Sequence, residues 1–187
     1  MTQLSRLVGD LLDVSRVNGG KLRVERQSVD MKLLIDEVVE SCRPAIDQRH
    51  QQLVIQVPSE ELVLSGDAMR LAQVLRNLLD NASKYTLPAG VITLAMQPVG
   101  DSVVLTVRDT GVGINPRMLS HIFEPFVQEA HATAHDGSGL GLGLTVVREL
   151  VSAHGGSVTA HSDGSGLGSA FTVVLPTGSD APDSTVL

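Results

Sequence analysis

The chain has 187 residues, of which 42% are hydrophobic and 2% are aromatic. This length allows one domain with short flanking pieces and excludes two full domains with separate cores. The formal net charge of -7 argues against nucleic acid and anionic membrane as partners, because both require a basic face on the protein. A phosphate-bearing ligand would need donors that are arranged locally.

The sequence carries no sign of a membrane segment or of disulfide chemistry. No apolar run approaches the roughly 18 residues of a membrane span, and the N-terminal residues lack the layout of a signal peptide. Cys42 cannot form an internal disulfide, and its place on a helical apolar stripe is typical of a core residue. We expect a cytoplasmic location, either of the chain by itself or as the cytoplasmic part of a membrane-anchored receptor.

The first predicted element is a helix whose apolar residues recur at spacings of three and four, as in a seam that packs on another helix. Asn18-Gly19-Gly20 ends it, and alternation over residues 21–27 predicts a short strand. The seam consists of Leu4, Leu7, Leu11 and Val14.

A second helix begins after Asp30, whose side chain is a good N-terminal cap. Pro44 predicts a kink or local distortion within it, since proline removes a helical hydrogen bond. Strands are predicted at 53–57 and, more weakly, at 62–65. The apolar face of the helix comprises Leu34, Val38, Cys42, Ala45 and Ile46.

Asp67 caps a third helix that ends near Tyr85. A hairpin is predicted from strands 91–98 and 102–108, which flank Gly100-Asp101. The buried stripe of the helix comprises Leu71, Val74, Leu75, Leu78, Leu79 and Ala82.

Regular patterning is lost over residues 122–139, a length typical of a lid or a disordered loop. A helix over 140–154, strands at 157–161 and 169–175, and a disordered tail from 177 complete the prediction. This order of elements predicts an α/β two-layer sandwich with a mixed, mostly antiparallel sheet covered by helices on one face.

Three polar residues of the third helix, Asn77, Asn81 and Lys84, lie at spacings that place them on one stripe opposite the core. Asparagine oxygens suit Mg²⁺, which keeps several waters and takes other ligands from phosphates, and a lysine supplies positive charge for those phosphates. The same pattern is also compatible with an ordinary solvated helix face.

Two glycine motifs extend this candidate site. Asp109 ends a strand and could accept a hydrogen bond from an exocyclic amine such as that of adenine, although a DxGxG pattern is often only a turn. Alternate glycines over residues 137–143 then open a helix, where backbone N–H groups and the helix dipole favour a triphosphate. A flexible lid hinge would show the same glycines.

Four motifs in this order resemble those of the catalytic, ATP-binding domain of sensor histidine kinases. Residues 71–86 resemble the N box, 109–114 the G1 box, 122–126 the F box and 137–143 the G2 box. The helix ending in His154-Gly155-Gly156 and the strand ending GSAFTVVLP match too, so the resemblance covers about residues 4–176. It implies the Bergerat-type fold of the gyrase, chaperone, histidine kinase and MutL superfamily.

The resemblance also implies roles for the residues of the N and G1 boxes. Asn77 would ligate Mg²⁺ and, with Lys84, take part in catalysis, while Asn81 and Lys84 would contact phosphates. Tyr85 would stack near adenine, and Asp109 would bind the adenine amine. Gly111 and Gly113 would make room for the nucleotide, beside Ile114.

The F and G2 boxes would supply the lid and the phosphate loop. The resemblance implies that two phenylalanines anchor the base of the lid and that glycines wrap the phosphates. The residues so assigned are Phe123, Phe126, Gly137, Gly139, Leu140, Gly141, Leu142 and Gly143.

The identity of residue 77 separates this chain from the gyrase-like and mismatch-repair ATPases of the same superfamily. Those enzymes carry a glutamate there, four residues before the second asparagine, to activate water. Because the amide of Asn77 is a poor general base, we expect ATP to be held with little hydrolysis and its γ-phosphoryl group passed to a histidine.

The histidine that accepts the phosphoryl group is expected to lie outside this sequence. The first helix resembles the end of the second helix of the dimerisation and phosphoacceptor domain, and the preceding helix with its acceptor is absent. In the family an acidic residue follows the acceptor; here only His135-Asp136 has that pair, within the glycine-rich lid. We expect surface or cap positions, and no acceptor role, for His50, His121, His131, His135, His154 and His161.

A second departure concerns the lid, since residues 127–136 contain no arginine or lysine, whereas relatives often place a basic residue there. His131 or His135 could substitute in part when protonated. Because the lid lacks a basic residue, we expect weaker binding of the γ-phosphate.

The sequence therefore predicts the end of a dimerisation helix over 1–18, a catalytic domain over 19–176 and a tail over 177–187. The expected partners are Mg-ATP, the phosphoacceptor domain of a homodimeric parent kinase and a response regulator receiver domain. Two alternatives stay open: a regulatory module without catalysis, and an ATPase or serine kinase of the same superfamily.

Overall fold

The computed structural model describes residues 24–127 and 140–178, which form three helices and seven strands. The helices are α1 (Met31–Gln48), α2 (Ala68–Tyr85) and α3 (Gly143–Ala153). The strands are β1 (Gln27–Asp30), β2 (Gln52–Gln56), β3 (Val63–Gly66), β4 (Val91–Val99), β5 (Ser102–Asp109), β6 (Ser157–His161) and β7 (Ser169–Pro176).

Five of the strands form one mixed sheet in the order β2-β4-β5-β7-β6. Only the β2–β4 pair is parallel, and the other three pairs of this sheet are antiparallel. β1 and β3 form a separate antiparallel ribbon. The predicted mixed, mostly antiparallel sheet is confirmed.

One face of the sheet is buried and the other is not. Alternate residues of β4, β5 and β7 are buried and the residues between them are half-buried or exposed, so the helices cover one face. The buried residues are Ile92, Leu94, Met96, Val103, Leu105, Val107, Phe171, Val173 and Leu175. The predicted stripe of α2 packs in the same core, with each of its six apolar residues at most 2% exposed.

Both predicted helix caps are confirmed. The Asp30 carboxylate accepts hydrogen bonds from the backbone N–H groups of Lys32 and Leu33, at 2.8 and 3.2 Å. The Asp67 carboxylate accepts one from Arg70 N at 3.1 Å. Each aspartate satisfies N–H groups that the first helical turn leaves without a partner.

Two details of α1 bear on the prediction, namely the exposure of Ala45 and the course of the helix at Pro44. Ala45 is exposed, whereas the other four residues of the predicted α1 face are buried together with Met31, Ile35 and Val39. The helix continues through Pro44 to Gln48. Pro44 and Glu40, whose carbonyl loses its partner, are both exposed, so water can replace that hydrogen bond.

Other predicted elements shift or lie outside the described residues. β1 begins at Gln27, later than the predicted strand over 21–27, and α3 begins at Gly143 rather than near 140. The predicted first helix, most of the lid and the end of the tail lie outside the described residues. Within 24–127 and 140–178, no helix has the length and apolarity needed to cross a membrane.

Candidate functional site

The polar stripe of α2 lies beside the start of α3. Asn77, Asn81 and Lys84 are half-buried, and the Asn77 side-chain amide donates a hydrogen bond to the Gly143 carbonyl at 3.4 Å. The two motifs that the sequence placed 66 residues apart therefore meet.

The N-terminus of α3 has free donors at this meeting point. Leu142 occupies the cap position, and no side chain of the described residues caps the helix. The first N–H groups of a helix have no partner within it and carry the positive end of its dipole. Since the Leu142 side chain is buried, any contact of this residue with a ligand would go through its backbone.

The base of the predicted lid is closed by backbone. Phe126 N donates to Gly141 O at 3.1 Å, and Gly141 has a φ of +70°, where a Cβ would lie 2.9 Å from Val127 O. Phe126 is 64% exposed, so the contact with Gly141 is made by the backbone of Phe126 and not by its ring. Leu140, on the other side of the lid, is also exposed, and Gly137 and Gly139 lie outside the described residues.

Phe123 packs its side chain against the core, whereas the side chain of Phe126 is exposed. The Phe123 ring meets Phe171 edge to face, with 6.4 Å between centroids, and its carbonyl accepts a hydrogen bond from Thr145 Oγ1. This pair fixes the F box to the core of the sheet.

We call Asn77, Phe126, Leu140, Gly141 and Gly143 the Asn77 end of the site.

Asp109 lies at the other end of the site, at the end of β5, and is only 4% exposed. Its Oδ1 accepts from Gly111 N at 2.8 Å, and its Oδ2 accepts from Ser169 Oγ at 2.5 Å. These two hydrogen bonds hold the carboxylate in place. The Asp109 carboxylate, which could accept a hydrogen bond from an exocyclic amine, is thus part of the protein interior.

The two glycines after Asp109 make room for protein backbone. A Cβ on Gly111 would lie 2.2 Å from Tyr85 O, and one on Gly113, at φ +70°, would lie 2.0 Å from Gly164 O. The packing of the chain itself therefore already requires glycine at both positions, and the expectation that they make room for a nucleotide stays a prediction.

The turn between β6 and β7 supports this loop, and the sequence prediction missed it. Ser162 Oγ accepts from Ile114 N at 3.0 Å and donates to Gly168 O at 2.7 Å. Gly166 N donates to Val112 O. We call Asp109, Gly111, Gly113, Ser162 and Ser169 the Asp109 end of the site. The only sequence signal for these serines is their place in a glycine-rich turn before a strand.

Tyr85 and Lys84 connect the two ends of the site. The Lys84 ammonium lies 5.1 Å from the centroid of the Tyr85 ring, a cation–π distance. The Tyr85 carbonyl accepts from Val112 N at 3.0 Å. The last turn of α2 thus holds the loop that follows Asp109.

The residues described do not form a metal cage. No group of three or more His, Cys, Asp or Glu side chains in this part of the chain could hold a metal ion. A site that uses one asparagine oxygen, with phosphates and water as the other ligands, is what Mg²⁺ accepts. The Asn77 side chain fits that role, because its amide NH₂ group is the part engaged with Gly143.

The described histidines occupy surface and cap positions, as expected. His50 is exposed, and His121 and His161 are exposed beside Glu124 and Asp163. His154 caps the C-terminus of α3 and is buried. His131 and His135 lie outside the described residues.

Comparison with known proteins agrees with this geometry. Residues 66–179 match the family described as histidine kinase-, DNA gyrase B-, and HSP90-like ATPase, and the chain belongs to this family. Its relatives are sensor histidine kinases. The adaptive-response sensory kinase SasA of Synechococcus elongatus is 35% identical over 87% of this chain, and the sensor histidine kinase RcsC of Escherichia coli is 33% identical over 92%.

Solved structures of histidine kinases share the fold. The Acinetobacter baumannii histidine kinase AdeS superposes with a TM-score of 0.77 at 28% identity and covers 94% of this chain and 79% of its own. Full-length ShkA, solved in complex with AMPPNP, gives a TM-score of 0.80 at 31% identity and covers 94% and 36%. The chain spans only 42% of the length of SasA and 18% of RcsC.

Proposed function

We propose that this chain binds Mg-ATP between α2 and α3 and transfers the γ-phosphoryl group to a histidine of the phosphoacceptor domain of a sensor kinase. The observation that carries the proposal is the contact of Asn77 with the uncapped start of α3. It joins a neutral oxygen ligand to free backbone donors, which is how a protein of net charge -7 can hold a triphosphate.

The adenine base would lie at the Asp109 end. Oδ1 and Oδ2 of Asp109 each accept one hydrogen bond within the protein, and a carboxylate has capacity for about four. An exocyclic amine can therefore be accommodated without breaking either bond. Tyr85 would stack near the base, while Asn81, Lys84 and the backbone of 140–143 would contact the phosphates together with Gly137 and Gly139.

Mg²⁺ bound at Asn77 would neutralise charge on the β- and γ-phosphates. Transfer then forms a P–N bond to the acceptor imidazole and breaks the P–O bond to the β-phosphate, so that ADP leaves with the electron pair. The position of a base for water carries the amide of Asn77, which is a poor general base, and we therefore propose transfer rather than hydrolysis.

The context proposed for this chemistry is a two-component system. Residues 1–18 would be the end of the dimerisation helix of a homodimeric kinase, and the acceptor histidine would come from the domain before it. A response regulator receiver domain would take the phosphoryl group in turn. The resemblance to the kinases compared above supports this context, and we propose a cytoplasmic location for the domain.

The test is a titration of the 187-residue chain with Mg-ATP by calorimetry, followed by addition of a separately made acceptor domain with radiolabelled ATP. We expect binding, acid-labile phosphohistidine on the acceptor, and slow turnover in its absence. Asp109→Asn should weaken ATP binding about 10- to 100-fold, as loss of a hydrogen bond to a charged group does. Asp101→Asn, in the exposed hairpin turn, is the matched control.

The other outcomes decide between the alternatives. Absence of Mg-ATP binding would favour a regulatory module without catalysis. Rapid ATP turnover without an acceptor would favour an ATPase. Equal weakening of ATP binding by Asp101→Asn and Asp109→Asn would contradict the assignment of Asp109 to the base.

A further inference from the structure

A buried glutamine, Gln51, holds the last turn of α2 from outside the helix, and Arg49 Nη1 adds one further hydrogen bond to the Ser83 carbonyl at 3.0 Å. Gln51, in the connection between α1 and β2, is 6% exposed. Its Nε2 donates to the carbonyls of Ser83 and Thr86 at 2.8 and 2.6 Å. Its Oε1 accepts from Ser83 Oγ at 2.8 Å. All three bonds end on the last turn of α2.

This arrangement replaces the usual end of a helix. The last four carbonyls of a helix have no partner within it and are commonly satisfied by water or by a glycine-based cap. Here Thr86 follows the helix in extended conformation, with ψ of 133°, and the Gln51 amide satisfies two of the carbonyls. The position of the last turn thus depends on a residue that lies 35 positions away from Thr86.

The turn that Gln51 holds carries two of the residues proposed to contact the nucleotide. Lys84 and Tyr85 lie between the two carbonyls that Gln51 binds. The Tyr85 carbonyl in turn holds Val112 N at 3.0 Å, and the loop after Asp109 is packed against it at Gly111. A shift of this turn would move Lys84 and the loop together.

We propose that Gln51 is a positioning residue of the nucleotide site, which sets the last turn of α2 so that Lys84 and Tyr85 engage the nucleotide. This inference rests on the proposed function. Gln51 touches neither nucleotide nor metal in this assignment, and it acts through the backbone of Ser83 and Thr86. Small displacements of groups that orient a substrate reduce activity strongly.

The experiment compares Gln51→Met, which keeps the length of the side chain and removes its hydrogen bonds, with Gln52→Met. Gln52 is the exposed neighbour on β2. Mg-ATP affinity is measured by calorimetry on the whole chain at a temperature where each variant is folded by circular dichroism. We expect the Kd to rise about tenfold for Gln51→Met and to change less than about twofold for Gln52→Met.

Two further variants separate positioning from general destabilisation. Ser83→Ala removes only one of the three bonds and should raise the Kd by a smaller factor, which provides a test if Gln51→Met does not fold. Ile35→Ala lowers stability in the buried face of α1 away from the last turn of α2. It should leave the Kd unchanged in the folded protein.

A double-mutant cycle with Lys84→Met tests the proposed route. If Gln51 acts through Lys84, the loss of affinity caused by Lys84→Met should be at least about threefold smaller in the Gln51→Met background than in the wild type. Additive losses, or an unchanged Kd in Gln51→Met, would overturn this inference and leave the proposed function intact. Failure of the wild-type chain to bind Mg-ATP would overturn both.

Discussion

The two ends of the site are built in opposite ways. At the Asp109 end, the buried carboxylate accepts hydrogen bonds from Gly111 and Ser169, Ser162 bonds to neighbouring backbone, and both glycines are crowded by backbone, so the arrangement is part of the interior. At the Asn77 end, the half-buried Asn77 side chain contacts the start of α3, and Phe126 and Leu140 are exposed. Substitutions at the first end should therefore damage folding, whereas replacement of the Asn77 side chain should damage chemistry with little loss of stability.

The largest loss of stability is expected from Gly113→Ala. Its Cβ would lie 2.0 Å from Gly164 O in a backbone with φ of +70°, so the free energy of unfolding should fall by about 2–4 kcal/mol. Gly100→Ala is the control, because its φ is +56° but nothing lies within 4 Å. It should cost only about 1–2 kcal/mol. Urea denaturation measures both, and equal losses would show that crowding at Gly113 is relieved.

Ser169→Ala should have an intermediate effect. It removes the donor to Asp109 Oδ2, which leaves a buried carboxylate oxygen short of a partner and should cost about 1–3 kcal/mol of stability. Thermal unfolding with and without Mg-ATP would also reveal weaker binding. Ser157→Ala, at an exposed position on β6, should change neither. Equal stability and equal Mg-ATP binding in Ser169→Ala and Ser157→Ala would contradict the role of Ser169 in holding Asp109.

Asn77→Ala should change stability by less than about 0.5 kcal/mol, because it removes one hydrogen bond of 3.4 Å at a half-buried position. Phosphotransfer to an added acceptor domain should nevertheless fall about 100-fold or more, as for other groups that stabilise charge in the transition state. Met69→Ala on the same helix, 77% exposed, is the control. Transfer at the wild-type rate would remove Asn77 from the catalytic site.

The smallest effect is expected from Phe126→Ala. The ring is 64% exposed and the backbone makes the bond to Gly141, so stability should stay within about 0.5 kcal/mol of the wild type. Phe123→Ala should cost about 2–4 kcal/mol, since its ring packs against Phe171. Chemical denaturation of the two variants compares them directly. A large loss for Phe126→Ala would mean that the Asn77 end is also part of the core.

Much of the fold could be predicted because the signals are local. Asp30 and Asp67 cap helices in the structure as they were expected to, and the stripe of α2 followed from a period of 3.6 residues. The hairpin of β4 and β5 followed from alternation around Gly100. Ala45 was misplaced because alanine is compatible with either face of a helix, so its type carries little information on burial.

The site could be predicted only in part. Asn77, Lys84 and Asp109 stood out because polar residues at regular spacing, or after a strand, are visible in one stretch of sequence. Ser162, Ser169 and Gln51 did not, since a serine or glutamine in a connection has no distinctive pattern. Gln51 bonds to Ser83, which is 32 residues away in the sequence, and Ser169 bonds to Asp109, which is 60 residues away.

The sequence by itself determined the order of helices and strands, the two aspartate caps and the set of residues available for a nucleotide site, because each depends on neighbours along the chain. Tertiary structure alone decided that Asn77 meets Gly143, that Ser169 holds Asp109 and that Gln51 ends α2. These pairs are separated by long stretches of chain, and only the packing of helices on one face of the sheet brings them within hydrogen-bonding distance.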